Sequence, residues 1–182
     1  MSRILAIDPG TTESGWVVYE AGKVCNSGVW PNEQLLAELP RTPSSQLLAV
    51  EMIASYGMAV GKDVFETCVW IGRFKQAWFA PDDVKLVYRG QVKQLLCKSA
   101  RAKDANIRQA LIDMLGAPGT KKAPGGTYGV KSHAWAALAV AVTADVMRSS
   151  SAAQPGLFAQ PTTPPDDEDP FEMKRAQVEI AA

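Results

Sequence analysis

The sequence predicts an α/β fold in which helices pack against a single sheet. Three short apolar strands follow one another near the N-terminus, and strands and helices then alternate along the chain. The last predicted helix is apolar on nearly every side, so we expect it to be buried against another element. A length of 182 residues suits one domain, or one domain with a tail.

Four strands are predicted in the first third of the chain. An apolar run that ends in an acid and a Pro-Gly turn predicts the first, turn residues separate the second from the third, and an apolar run that ends at Glu51 predicts the fourth. The first three form a meander. The predicted strands cover residues 3–8, 15–19, 23–30 and 46–50, with a helix over 32–39 before the last.

Helices dominate the rest of the domain. Apolar residues recur near a period of 3.6 over residues 63–79, and a fifth strand is predicted at 84–88. Asp63 and Asp104 are predicted as helix N-caps, because an Asp side chain accepts hydrogen bonds from the free N–H groups of a first turn. The remaining predicted helices cover residues 91–97, 104–115 and 132–147.

The charge of the chain changes sign after residue 148. Residues 1–148 carry 17 basic and 13 acidic residues, whereas residues 149–182 carry two basic and six acidic ones. The second part is rich in Ser, Pro and Thr, and it cannot bury enough apolar surface to offset its ordering entropy. We therefore predict a domain over 1–148 and a disordered acidic tail over 149–182.

Basic residues concentrate in the stretch 85–131, which holds ten of them and only two acids. Such an excess is typical of a surface that binds a polyanion, nucleic acid first, although a solvated basic face gives the same pattern. Tyr128 lies in a Gly-rich loop of this stretch, where its ring could stack on an unpaired base. The candidate DNA contacts are Lys93, Lys98, Arg101, Lys103, Arg108, Lys121, Lys122, Tyr128 and Lys131.

Composition argues against several other classes of protein. No apolar run reaches the roughly 18 residues of a membrane helix, and the N-terminus lacks the pattern of a signal peptide. Three cysteines without a C-x-x-C pair suit neither a disulfide framework nor a tetrahedral zinc site. We therefore expect a cytoplasmic protein.

Two acids, Asp8 and Glu51, end two strands that lie side by side in this topology. Carboxylates at neighbouring strand ends can hold Mg²⁺, which prefers a few carboxylates together with water and a substrate phosphate. Two such ions about 4 Å apart can clamp the attacking and leaving oxygens of a phosphodiester displacement. The alternative interpretation is that both acids are solvated strand caps.

The residues around these acids resemble a known family. Ile7-Asp-Pro-Gly-Thr-Thr-Glu-Ser-Gly-Trp16 resembles the first strand motif of the RuvC-type Holliday-junction resolvases, which belong to the ribonuclease-H-like superfamily. Leu47–Glu51 resembles their second acidic strand, and Ser132–Ala141 resembles their last helix. The resemblance covers about residues 3–147. It implies a ribonuclease-H-like α/β fold with a mixed five-stranded sheet flanked by helices.

The same resemblance implies a metal-dependent, structure-selective endonuclease that resolves Holliday junctions or related branched DNA. Its cofactor would be Mg²⁺, with Mn²⁺ as a substitute, held by Asp8, Glu51 and His133, the only histidine of the chain. A four-way junction has two-fold symmetry, so paired cuts imply a homodimer. Such a protein suits the cytoplasm of a bacterium or of a phage-infected cell.

One position departs from the family pattern, because Ala136 stands where a second acid follows position 133. An inactivating substitution, a subfamily with a different ligand set, and a protein that binds without cutting are the three explanations, of which we favour the second. Asp104 or Glu66 could supply a carboxylate, although both also suit helix starts. The alternative function is a catalytically weak module that binds branched DNA.

Three short segments carry further resemblances. Gln154–Phe158 resembles the peptide by which many bacterial DNA enzymes bind the sliding clamp, and Asp166–Phe171 resembles the acidic tip of single-stranded-DNA-binding proteins. An ordinary solubilising tail explains both segments equally well. The turn after Asp8 also resembles that of sugar kinases and actin-like ATPases, but those proteins need two such domains and this chain supplies one.

Overall fold

The computed structural model describes residues 3–43, 46–55, 57 and 59–153. One compact unit covers Met1–Ser149, and of a second unit, Ser150–Ala182, only residues 150–153 are described. The predicted clamp peptide and acidic tip lie outside the described residues. No helix in the described part of the chain is long and apolar enough to cross a membrane.

Five strands form one mixed sheet. The first three form the predicted antiparallel meander, and the fourth and fifth are added in parallel on the other side of the first. The strands are β1 (Arg3–Asp8), β2 (Glu13–Glu20), β3 (Lys23–Pro31), β4 (Gln46–Met52) and β5 (Lys85–Tyr88), in the order β3-β2-β1-β4-β5. The predicted α/β class, with a mixed five-stranded sheet, is confirmed.

Helices cover both faces of this sheet. Alternate residues of β1 point to opposite faces, so each face of this strand packs against different helices. Ile4 and Ala6 pack with the last three helices, and Leu5 and Ile7 pack with the first two. The helices are α1 (Asn32–Glu38), α2 (Lys62–Ala77), α3 (Arg89–Cys97), α4 (Asp104–Leu115) and α5 (Ala134–Ala153), with short 3-10 turns at Leu39–Arg41 and Pro81–Asp83.

Two predicted helix caps are wrong. Gly61 is the N-cap of α2 and Lys103 is the N-cap of α4, so Asp63 and Asp104 are the second and first residues of their helices. Acids in a first turn still interact favourably with the positive end of the helix dipole. Asp104 uses its carboxylate for an ion pair with Arg89 instead of a capping bond.

The last helix also differs from its prediction over 132–147. It begins at Ala134, after a turn, and it continues to Ala153. Residues 149–153 are Ser and Ala, neither of which breaks a helix, although their composition suggested the start of the tail. The disorder predicted from residue 154 onward concerns residues that are not described.

Gly15 allows the turn before α5 to lie directly against β2. A Cβ atom at this position would overlap the backbone carbonyl of His133 and would lie 2.8 Å from the Ala134 nitrogen. Gly15 is also the residue of β2 that pairs with Asp8 of β1. The absence of a side chain at Gly15 therefore brings His133 beside the end of β1.

We predict that Gly15→Ala destabilises the protein by about 1 to 3 kcal/mol, because backbone rather than a flexible side chain must move to make room. The matched control is Gly72→Ala in α2, where a Cβ would meet nothing within 4 Å. That change should be neutral or stabilising by about 0.5 to 1 kcal/mol, since Ala is a better helix residue than Gly. Urea unfolding measures both, and equal stability of the two variants would contradict the close approach.

Candidate active site

A pocket of about 360 Å³ opens at the carboxyl ends of β1 and β4. It lies on the sheet face covered by α3, α4 and α5, whose first turns form its far wall. Charged side chains dominate its lining, which consists of Asp8, Glu51, Arg89, Asp104, Ile107, Arg108, Ser132, His133, Trp135 and Ala136.

The strand register brings Asp8 and Glu51 together. Ile7 of β1 pairs with Val50 of β4 in parallel, so the next residue of each strand lies beside its neighbour on the face opposite Ile7. Both side chains are largely covered, with 19% of Asp8 and 13% of Glu51 exposed. The two strand-end acids therefore lie side by side, as the sequence predicts.

Burial and mutual repulsion change the acidity of this pair. Burial raises the pKa of Asp8 to about 6, and burial together with the Asp8 charge raises the pKa of Glu51 to about 8. Glu51 Oε2 is buried without a hydrogen-bond partner. When Glu51 is protonated, its carboxyl can donate a hydrogen bond to Asp8. The pair therefore retains a proton near neutral pH unless a cation replaces it.

A buried polar network fixes the loop that follows Asp8. The Ser14 hydroxyl donates to Asn32 Oδ1 at 2.6 Å, and Asn32 Nδ2 donates to the Gly10 carbonyl at 2.9 Å. The backbone N–H of Asn32 also donates to the Thr12 carbonyl at 2.9 Å. Ser14 and Asn32 are both almost completely buried, so these bonds hold the loop at a defined position. Neither residue was identified as a candidate from the sequence.

His133 stands at the rim of the pocket, next to Asp8. Its Nδ1 lies 3.5 Å from Asp8 Oδ2, and more than half of its side chain is exposed. The preceding residue, Ser132, has a left-handed backbone with φ 45°, which for a residue with a side chain costs on the order of 1 kcal/mol or more. Ala136 also lines the pocket and contributes no polar side-chain atom to it.

Arg89 and Asp104 add an ion pair that sequence reasoning did not foresee as part of the site. The Arg89 guanidinium contacts the Asp104 carboxylate and lies 3.5 Å from Glu51 Oε1. Arg89 had been counted only as one of ten basic residues. The overlooked signal was its position directly after β5, since the carboxyl end of a strand parallel to β4 must reach the same edge of the sheet.

The other candidates have different surroundings. Arg108 lines the pocket, and its guanidinium lies 4.6 Å from the centre of the Trp135 ring in a cation–π contact. Glu66 is not among the pocket residues, and it pairs with Lys62 at 3.2 Å on α2. Most of the remaining basic candidates are exposed in the α3–α4 and α4–α5 connections, namely Lys98, Arg101, Lys103, Lys121 and Lys122. Lys93, on α3, is half-buried.

A second groove, of about 540 Å³, lies beside the sheet edge. Residues 27–29 of β3 form one side, and Tyr128, Gly129 and Lys131 form the other. Val29 pairs with Gly15 and Gly15 pairs with Asp8, so this groove is two strands from Asp8, roughly 10 Å. Tyr128 and Lys131 are thus near the pocket, on the same side as His133.

The acids of the pocket suit a small divalent ion that keeps several waters better than an ion coordinated by protein atoms alone. Among the described residues, no three His, Cys, Asp or Glu side chains form a group that could hold a metal. Mg²⁺ nevertheless binds through one or two carboxylates while it keeps several waters. The buried, unpartnered Glu51 oxygen beside Asp8 is an atom that such an ion would satisfy. Asp8 and Glu51 are therefore the residues that fit the ion.

Similarity to known proteins is found at the level of structure. No protein-family model and no curated protein sequence matches the chain. The structure of T. thermophilus RuvC in complex with Holliday junction substrate is similar, with a TM-score of 0.60 and 24% identity over 83% of this chain and 98% of that chain. A Thermus thermophilus RuvC structure is also similar, with a TM-score of 0.59 and 24% identity over 81% of this chain and 96% of that chain. The fold implied by the family resemblance is thereby confirmed.

We predict that Asp8→Asn and Glu51→Gln raise the melting temperature above pH 6. The native pKa values of about 6 and about 8 exceed the unfolded values of 3.8 and 4.5, so the native state loses stability as pH rises from about 4 to about 8. An amide does not ionise and avoids this loss. The difference in melting temperature between each variant and wild type should be near zero at pH 4 and reach several degrees at pH 8. Each kcal/mol of stability shifts the melting temperature by about 2 to 4 °C.

Thermal melts without divalent ions measure this gap. Asp82→Asn, at an exposed acid in the turn before β5, is the control that removes one acid outside the pocket. A constant gap between pH 4 and pH 8 would contradict the raised pKa values.

Proposed function

We propose that this protein is a metal-dependent, structure-selective endonuclease that cuts Holliday junctions or related branched DNA. The observation that carries the proposal is the buried Asp8–Glu51 pair at adjacent strand ends, in a RuvC-like fold. One structure with this fold is of RuvC in complex with a Holliday junction substrate, which makes the four-way junction the first substrate to test.

The residues of the pocket suit hydrolysis of a phosphodiester. A bound Mg²⁺, or Mn²⁺ in its place, would supply an activated water and compensate the charge on the phosphate. Asp8 and Glu51 would hold the ion once their shared proton has left. His133, exposed at the rim and 3.5 Å from Asp8, has the position of a group that takes a proton from water or returns one to the leaving oxygen.

The surroundings of the pocket suit the rest of a DNA substrate. Arg108 lines the pocket, and the exposed basic residues of the two connections extend positive charge away from it. The groove next to His133 offers the exposed Tyr128 ring for stacking and Lys131 for a phosphate. A strand bound across the pocket would reach this groove within about two nucleotides, given the roughly 10 Å between them.

The proposal includes a homodimer, since two active sites related by a two-fold axis match the symmetry of a four-way junction. A candidate contact surface is the outer side of α2, where Phe65 and Val69 lie one helical turn apart and are 61% and 62% exposed. Apolar side chains so exposed on one helix face suit contact with a second copy.

A catalytically weak module that binds branched DNA is the second candidate, and Ala136 is the observation that favours it. The side chain of Ala136 supplies no ligand to the pocket, one turn after His133. The two candidates differ in whether the wild-type chain cuts a junction that it binds.

We predict that wild-type protein cleaves a labelled four-way junction with Mg²⁺, and that Asp8→Asn reduces cleavage about a thousandfold or more. The metal's stabilisation of the transition state is worth several kcal/mol, and each 1.4 kcal/mol added to the barrier lowers the rate about tenfold. Junction binding, measured by gel shift in Ca²⁺, should stay within about threefold, since no basic side chain changes. Asp82→Asn is the charge-matched control and should cut like wild type.

The outcomes separate the candidates. Full cleavage by Asp8→Asn would contradict the metal assignment. Binding without any cleavage by wild type would favour the binding module, and neither binding nor cleavage would contradict both functions.

We predict that replacing Lys98, Arg101 and Lys103 with Ala weakens junction binding and its dependence on salt. Each lost phosphate contact should lower the slope of log affinity against log salt concentration by about 0.9. The control carries Lys23, Arg41 and Lys75 as Ala, three basic residues outside both the pocket and the stretch 85–131. If both triple variants have the wild-type slope, the DNA surface lies elsewhere.

A further inference from the structure

The charges of the pocket differ from those of a site built for two divalent ions. Three carboxylates line it, from Asp8, Glu51 and Asp104, and two arginines, Arg89 and Arg108, line it with them. The Arg89 guanidinium contacts two of the carboxylates, and the Arg108 guanidinium lies against the Trp135 ring. With all five ionised, only one negative charge remains. A single divalent ion already turns this balance positive, as binding of a phosphodiester requires, whereas a second ion would add two further uncompensated charges.

Arg89 lies between Glu51 and the third carboxylate of the pocket, Asp104. The charged groups follow the order of the strands along the sheet edge: Asp8 ends β1, Glu51 lies on the adjacent β4, and Arg89 follows β5, the next strand. The backbone of Arg89 is therefore two strands from Asp8, with Glu51 on the strand between them. The Arg89 guanidinium lies 3.5 Å from Glu51 Oε1 and also contacts Asp104.

The guanidinium keeps binding capacity for a substrate. Its two terminal nitrogens each face one carboxylate, which leaves further N–H donors among its five. The side chain is 27% exposed and lines the pocket, so a phosphate in the pocket could reach it. A guanidinium binds phosphate oxygens through two parallel hydrogen bonds, and it supplies a fixed positive charge.

We propose that Arg89 takes the place of a second metal ion, so that the site binds one divalent ion per chain, at Asp8 and Glu51. This inference rests on the proposed nuclease function. Arg89 binds the phosphate whose ester bond is cut and stabilises the charge that develops on it. Asp104 is then a positioning residue that holds Arg89 rather than a metal ligand. Ala136 is consistent with this arrangement, because no additional acid is required to hold a second ion.

The direct test counts bound ions in the absence of DNA. Calorimetric titration with Mn²⁺ should give one ion per wild-type chain. Arg89→Met removes the guanidinium but keeps a long apolar side chain, which leaves Glu51 and Asp104 free to hold a cation between them. This variant should bind two Mn²⁺ ions, and the double variant Arg89→Met with Asp104→Asn should again bind one. Arg41→Met, in the turn before β4, is the arginine control and should bind one.

Cleavage provides a second readout. Arg89→Met should cut a four-way junction about a hundredfold more slowly than wild type at low Mn²⁺ concentration, as expected when one preorganised charged donor is lost. It should regain at least tenfold when Mn²⁺ is raised, because a bound ion then replaces the guanidinium. A purely structural role of Arg89 would not produce this rescue, and wild type should gain little from the added metal.

Two ions in the wild-type chain, or one ion in Arg89→Met, would overturn the inference. So would full cleavage by Arg89→Met at low Mn²⁺. These failures differ from failure of the proposed function, in which wild type cuts no branched DNA at any metal concentration. The ion count is measured without substrate, so it tests the role of Arg89 whether or not the protein cuts branched DNA.

Discussion

Two carboxylates repel each other when they are withdrawn from water, and the fold of this protein nevertheless brings Asp8 and Glu51 together. The parallel pairing of β1 with β4 decides this arrangement, because both strands end at the same edge with both acids on the same face. Burial and mutual repulsion raise the pKa of each acid. The free-energy cost of ionising both buried acids makes the pair receptive to a proton or a cation.

The surrounding elements hold this unfavourable pair in place and partly compensate its charge. The buried Ser14–Asn32 network fixes the loop after Asp8, and Gly15 lets the backbone at His133 approach the same strand end. On the other side, Arg89 offers its charge to Glu51. A rigid scaffold of this kind is required wherever like charges must stay within contact distance, since a flexible loop would let them separate.

Much of this arrangement could be predicted from the sequence because it depends on local patterns. The five strands are short apolar runs between turns, and two of them end in acids, so both the sheet and the Asp8–Glu51 pair follow from periodicity and topology. His133 could be singled out through the family resemblance. The caps at Asp63 and Asp104 were predicted wrongly because Asp in a first turn and Asp at the cap give nearly the same sequence signal.

Arg89 and Asn32 depend on information that no local pattern contains. Arg89 is one of many basic residues in its stretch, and only the position of β5 in the sheet distinguishes it from Lys93 or Lys98. Asn32 contacts a loop more than twenty residues earlier in the chain. Such contacts are set by tertiary packing. The sheet order, once known, would have been sufficient to find Arg89 but not Asn32.

If the buried acid pair is a cation site, a bound metal ion lies between Asp8 and Glu51. Crystals soaked in Mn²⁺ and measured at the manganese absorption edge would give an anomalous peak at each ion. We expect one strong peak at about 2.1 Å from carboxylate oxygens of both Asp8 and Glu51, the distance of small hard cations in proteins. A pocket with no peak between these two residues, at a Mn²⁺ concentration that supports cleavage, would contradict it.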